Sequence, residues 1–245
     1  MVFDGEELLE FAAKSVRNEV DFLSVTYQTT SYFGNQAGPD LVPTLERLRA
    51  SGLIDRLIFY EPDLSIHHKE NELRLRNLGL EASREAGCTH HCSSDVDEFC
   101  LSNELAYVKK TLGDVDFAVI PQVFYYKHPT WRINPDQGLF ITFIHSVENE
   151  YVMDMDFPFK VEITRRFRKY DSWKVFSRDE ITLHHMSYVR KDIRKKLANS
   201  DNGQFYSRQF FRDFDKHQLG DRVCILPDYL YRRTVLTENI FGIKI

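Results

Sequence analysis

Apolar residues recur at helical spacing between Glu6 and Val16, through Leu8, Leu9, Phe11 and Ala12, and predict an N-terminal helix. The run Phe22-Leu23-Ser24-Val25-Thr26-Tyr27 reads as a buried strand that empties into a polar loop from Gln28 to Gly38. A second helix is expected over Leu41 to Ala50, with Gly52 as its stop signal, and then a short strand, Leu57-Ile58-Phe59-Tyr60. Asn71 to Ala86 is a third helix closed by Gly87, and Thr89 to Ser93 leads from it into Ser94-Asp95-Val96-Asp97-Glu98-Phe99. A helix over Asn103 to Leu112 and a strand over Phe117 to Val123 complete this half. Strands alternating with helices predict an α/β fold, a mostly parallel sheet with helices on both faces. In such sheets ligands bind beyond the carboxyl ends of the strands. The loops after Tyr27, Tyr60 and Ser93 fall at that edge.

Beyond Phe124 the periodicity loosens. Tyr125, Tyr126, Trp131 and Phe140 stand among Pro129 and Pro135, as in irregular loops and short strands. Phe159 to Phe176 is expected to form a hairpin and Tyr188 to Leu197 a basic helix. After Asn199 the aromatics Phe205, Tyr206, Phe210, Phe211 and Phe214 suggest helices packed on the main body. The expected organisation is one domain over residues 1–198 and a C-terminal helical extension over 199–245.

The balance of charge changes this picture. The net charge is −5, yet Lys160 to Lys196 holds twelve Lys or Arg against five Asp or Glu. That surplus leaves the remaining chain strongly acidic, which argues against nucleic acid as partner. A small phosphorylated ligand held between a basic segment and an acidic metal site fits better. No apolar run is long enough to span a bilayer, and the first residues lack the pattern of a signal peptide. Four cysteines in 245 residues do not make a disulfide scaffold, so a cytoplasmic location is expected.

Asp95-Val96-Asp97 is the sharpest local signal. Two carboxylates two positions apart at a strand end can share one hard cation, which offsets the charge of a diphosphate. Cys88, His90 and Cys92 would share one face of a strand, too close together for a tetrahedral zinc site without further ligands. Core residues are the plainer reading there.

The stretch Asn71-Glu72-Leu73-Arg74-Leu75-Arg76-Asn77-Leu78-Gly79-Leu80-Glu81, followed by Ala86-Gly87-Cys88-Thr89-His90 and Asp95-Val96-Asp97-Glu98-Phe99, resembles family-2-type glycosyltransferases of the GT-A fold. The likeness covers roughly residues 4 to 100, and His184-His185-Met186-Ser187-Tyr188-Val189-Arg190 is similar to a C-terminal metal-ligand segment of a subset. The resemblance implies a Rossmann-like GT-A domain and transfer of a hexose or deoxyhexose, as in polysaccharide biosynthesis. The donor would be a UDP-, GDP- or dTDP-linked sugar, the acceptor a glycan or glycoconjugate, and the cofactor Mn2+ or Mg2+. Asp97 and His185 would bind the metal, with Asp95 on the ion or the ribose. Tyr27, Gln28, Glu61, Arg76 and Asn77 would form the base and ribose pocket, and Arg190 and Lys195 would face the diphosphate. The family opens with a full strand where this chain has Met1-Val2-Phe3.

An inverting transferase also needs a carboxylate to deprotonate the acceptor. Asp154, Asp156 and Glu162 follow the aromatic segment, and Asp156 and Glu162 are the candidates. Tyr125, Tyr126 and Trp131 are candidate stacking surfaces for acceptor sugars. Two other classes use similar residues: a metal-dependent phosphohydrolase or nucleotidyltransferase, and a non-catalytic glycan-binding module.

Overall fold

The computed structural model describes residues 1–135, 138–201, 203–224 and 232–245. In chain order its elements are α1 (Glu6–Val16), β1 (Ser24–Tyr27), α2 (Leu41–Ala50), β2 (Arg56–Phe59), α3 (His68–Glu85), β3 (His90–Cys92), β4 (Glu98–Phe99) and α4 (Ser102–Thr111). The second half holds β5 (Phe117–Tyr126), β6 (Trp131–Asn134), β7 (Phe140–Ser146), β8 (Tyr151–Val152), β9 (Arg166–Phe167), β10 (Trp173–Val175), β11 (Leu183–Tyr188), α5 (Ile193–Ala198), α6 (Arg208–Lys216) and β12 (Arg233–Leu236). The fold is mixed α/β with six helices among the described residues.

Local chemistry explains the helix starts that matter for the site. Gly5 precedes α1 in the left-handed region, φ 79°, which a residue with a Cβ adopts only at a cost. Glu6 and Glu7 then complement the helix dipole in its first turn. His67 caps α3 by accepting the Lys69 N–H at 3.2 Å, and the Asp192 carboxylate caps α5.

The sheet departs from the mostly parallel arrangement expected of it. β1 and β2 form a separate parallel pair. In the eight-stranded sheet only β10 and β11 run parallel to their neighbour β5, while β5 with β6 and β7, β3 with β7, β4 with β11 and β6 with β12 are antiparallel. The reason lies in the connections after β5. The turns leading to β6 and β7 are too short for a helical crossover, so the chain returns antiparallel.

Three further expectations are corrected. Phe159 to Phe176 is not a hairpin: β9 pairs with β8, and β10 lies along β5. The basic helix starts at Ile193, because Leu183–Tyr188 is a strand held between β5 and β4. The C-terminal extension is not wholly helical, since β12 joins β6 and so belongs to the main sheet.

The core lies on both sides of β5. Ala118 and Ile120 pack with Leu105 and Val108 of α4, whereas Phe117 and Val119 pack with Leu80 of α3 and the aromatics Tyr151, Phe157 and Phe167. Leu8 and Leu9 of α1, Leu45 and Leu48 of α2, and Val96, Phe99 and Met186 form a third cluster, directly beneath the Asp95–Asp97 segment.

Candidate active site

A cavity of about 350 Å³ opens where the residues after β1, the Asp95–Asp97 segment, the end of β11 and α5 converge, with α3 along one wall. It is lined by Gln28, Asp95, Asp97, His185, Lys196, Lys69, Glu72 and Glu162, with Asp4 at its edge. The backbone fixes the acidic segment firmly. The Asp97 carbonyl accepts from Met186 N–H of β11 at 2.7 Å, and the Glu98 carboxylate accepts from Asp95 N–H at 2.8 Å.

Two charge networks meet in this cavity, and they differ in kind. The first is centred on Asp95. Arg165 donates to Asp95 Oδ2 at 2.9 Å and to both Glu98 oxygens at 2.8 Å. Arg76 donates to Glu72 at 2.8 Å and lies 3.6 Å from Asp95. Lys69 completes the group, with Glu72 at 2.9 Å, Glu162 at 2.5 Å and Asp201 close by. Arg76 and Arg165 are buried, so these charges are compensated in a medium where an unpaired one is costly. Glu72 is held down to about 2: burial works against its anion, but Arg76 and Lys69 outweigh it. Glu162 is shifted the other way, upward, by burial and by neighbouring Glu72.

The second network surrounds Asp97, which is 1% exposed. Arg190 pairs with it directly, Lys196 Nζ lies at 3.4 Å and His185 Nε2 at 3.6 Å. Burial disfavours the Asp97 anion, yet Lys196, Arg190 and His185 hold its pKa well below the usual carboxylate range. For His185 burial opposes the imidazolium, and Asp97 more than offsets it, so its pKa is raised. Several polar atoms here are buried without a hydrogen-bond partner: Asp95 Oδ1, Asp4 Oδ2, Gln28 Oε1, His185 Nδ1, and Nε and Nη1 of Arg190. Buried polar groups in native proteins are nearly always paired, so this cluster marks a place for a ligand or water.

Of the residues expected at the site, Gln28, Asp95, Asp97, Glu162 and His185 line this cavity, while Arg76 and Arg190 stand off its lining and reach it through their contacts with Asp95 and Asp97. Others are not. Lys195 points to Gly38 and Glu6, and its neighbour Lys196 enters the site instead. Successive helix residues are rotated by about 100°, so only one of the two can face inward. Asn77 spends its side-chain amide on the Tyr151 main chain, donating at 3.0 Å and accepting at 3.1 Å. Tyr27 packs its ring on Phe59 with centroids 5.5 Å apart, and Glu61 and Asp156 are exposed outside the cavity. Tyr125 and Tyr126 are core residues, at 1% and 0% exposure, and cannot stack on an acceptor. His184 is turned away, its Nδ1 2.8 Å from the Tyr125 hydroxyl, and burial lowers its pKa to about 4.

The residues missed by sequence reading are Lys69, Glu72, Arg165 and Lys196. The basic surplus of Lys160 to Lys196 pointed to the right segment, but only folding selects Arg165 and Lys196 from its twelve cations.

Asp95, Asp97 and His185 are of the residue types that bind a divalent cation of the Mg2+ or Mn2+ kind, but their ligand atoms do not all lie within 4.8 Å of one another. The orphaned Asp95 Oδ1 is the atom that such an ion would satisfy. Among the described residues, the group that does bring its ligand atoms within 4.8 Å of one another is Glu72, Glu162 and Asp201. Lys69 Nζ already contacts all three and offsets part of their charge, with Arg76 on Glu72 and Glu162. Among the described residues no helix is long and apolar enough to cross a membrane. No protein-family model, curated protein or solved structure significantly matches the chain. The functional reading therefore rests on the residues and their geometry.

Proposed function

We propose that this chain is a metal-dependent glycosyltransferase of GT-A-like fold, acting on a nucleotide-diphosphate sugar and a hydroxyl acceptor such as a glycan. The observation that carries the reading is the buried Asp97, encircled by Arg190, Lys196 and His185 at the floor of a cavity with unpartnered polar atoms on its walls.

Asp97 and His185, 3.6 Å apart, would hold the cation, with Asp95 beside them in the same cavity. Bound there, Mn2+ or Mg2+ supplies charge stabilisation for the departing diphosphate. Arg190 and Lys196 stand where they can take over phosphate oxygens from Asp97, as charge-assisted donors. Gln28 Oε1, with no partner of its own, suits an N–H or O–H of the base or ribose. Glu162 keeps the role of candidate base: it faces the cavity, and its raised pKa moves it toward the range useful for accepting a proton. Asp156 lies outside the cavity and is set aside.

Calorimetric titration tests the proposal. UDP, GDP and dTDP are titrated with and without Mn2+ into the wild type and into Asp97→Asn, with circular dichroism confirming that the variant is folded. Binding of one nucleotide that requires Mn2+ and weakens at least tenfold in the variant is the expected result. A folded wild type that binds none of the three, with or without the ion, refutes the reading.

A further inference from the structure

A second, larger cavity of about 700 Å³ lies between β1 and β3 and meets the carboxylate cavity at Met1 and Leu75. Its walls are set by strand alternation. On β1 the Leu23 and Tyr27 carbonyls bond toward β2, accepting from Asp55 at 2.9 Å and Tyr60 at 2.8 Å. Ser24, Thr26 and Gln28 therefore present their main chain to the opposite side. On β3 and its flanks, Thr89 O and Ser93 N–H bond toward the β7 side, to Val147 at 3.1 Å and Phe143 at 3.3 Å. His90, Cys92 and Ser94 face away from β7, toward β1.

Met1 and Val2 occupy the far end of the gap and bond to both flanks in turn. Val2 N–H donates to Thr26 O at 3.0 Å and Gln28 N–H to Val2 O at 3.3 Å. The Met1 ammonium donates to Ser94 O at 2.8 Å, and Val96 N–H donates to Met1 O at 3.2 Å. This is the ladder of a central parallel strand, and Val2 pairs with Tyr27 in parallel sense. Behind Met1 the two flanks continue, and the cavity lies between them, lined by Ser24 and Thr26 on one side and His90 and Cys92 on the other.

We propose that this cavity seats one more parallel β-strand, an apolar segment joined to the Met1 nitrogen, which merges the β1–β2 pair with the eight-stranded sheet. Extending the register back from Met1 sets about four residues between Phe22–Val25 on one flank and His91–Ser94 on the other. The segment would be apolar on both faces, because Leu75 and Gly79 of α3 and Val16 and Leu105 from α1 and α4 also line the space. The register runs through Met1 without a break, so the preceding residue falls at peptide-bond reach of its nitrogen. Burial lowers the pKa of that ammonium, a penalty that vanishes once the nitrogen is an amide. The inference is independent of the transferase proposal.

The test compares the full chain with three versions carrying six residues ahead of Met1: Met-Lys-Val-Ile-Val-Thr, the same with Pro for the Ile, and Met-Lys-Gly-Ser-Gly-Ser. The apolar extension is expected to raise Tm by roughly 5 °C or more, a shift well resolved for a chain of this size. It should also slow hydrogen exchange at the Ser24, Cys92 and Ser94 amides at least tenfold. The Pro version should lose most of both effects, because Pro cannot donate to a central ladder. Equal gains from the Gly-Ser version would show relief of the buried ammonium alone and overturn the strand. Equal stabilisation by the free acetylated peptide Val-Ile-Val-Thr would overturn the covalent continuity. If the apolar version is insoluble, Val-Thr-Val-Thr carries the same expectation, and unprotected amides there would likewise overturn it.

Discussion

Replacing Arg165 by Met tests whether the Asp95 network is a buried, fully desolvated one. Arg165 is 2% exposed and Glu98 3% exposed, and the two share contacts of 2.8 Å to both carboxylate oxygens. Arg165 also donates to Asp95 at 2.9 Å and to the Ser93 carbonyl at 3.2 Å. Met fills much of the volume but leaves the Glu98 charge buried with the Asp95 N–H, at 2.8 Å, as its remaining donor. Breaking one side of a buried pair costs about 3–5 kcal/mol. For a chain of this size that lowers Tm by roughly 6–20 °C. The assay is urea unfolding at pH 7 followed by circular dichroism, on Arg165→Met, Glu98→Gln and the double variant. Because the double variant removes both charges, it should recover at least about 2 kcal/mol relative to Arg165→Met alone. A loss below about 1 kcal/mol for Arg165→Met would place the pair in the class of exposed salt bridges and refute the reasoning. Absence of recovery in the double variant would refute it equally.

Two more predictions concern the core around the site. His145 is fully buried and its pKa is lowered to about 3 by burial, so the native state keeps the ring neutral where the unfolded chain takes up a proton. Its contribution is complete above the unfolded value of about 6.5 and falls as pH drops toward the folded value, by about 2 kcal/mol at pH 5; His145→Phe should flatten the stability profile between pH 7 and 5, and an unchanged slope would remove His145 as its source. Asn77→Ala should cost about 1–3 kcal/mol in urea unfolding, because the Tyr151 N–H and carbonyl both lose their partner; nucleotide affinity should stay within threefold, and a larger loss in the folded variant would restore Asn77 to the pocket.

Much of the first half was legible in the sequence. Glu6–Val16 and Leu41–Ala50 are helices with the bounds that their apolar spacing predicts, and β1 and β2 lie within or beside the apolar runs read as strands. The two helices are amphipathic, so period alone reveals them, whereas β1 buries Val25 and Thr26 and β2 holds no buried residue. The Asp95-Val96-Asp97 segment stood out by the spacing of its carboxylates and His185 through the family resemblance, and the structure brings the three to one cavity. Beyond Phe124 the signal failed for a physical reason. β8 and β9 are two residues long, and β10 three, too short for any period to register.

The sequence by itself determined that the chain is α/β, where its N-terminal elements fall, and that acidic and basic segments would face each other. Only the tertiary structure decided that the larger sheet is mixed, that Lys196 rather than Lys195 reaches Asp97, and that Asn77, Tyr125 and Tyr126 belong to the scaffold. Local periodicity reports which face of an element is apolar. Which neighbour that face meets, and which cation is left beside a buried carboxylate, depends on contacts between residues as far apart as Asp97 and Arg190, 93 positions along the chain. Those contacts are chosen by packing and by the cost of burying an unpaired charge, and neither acts within a single element.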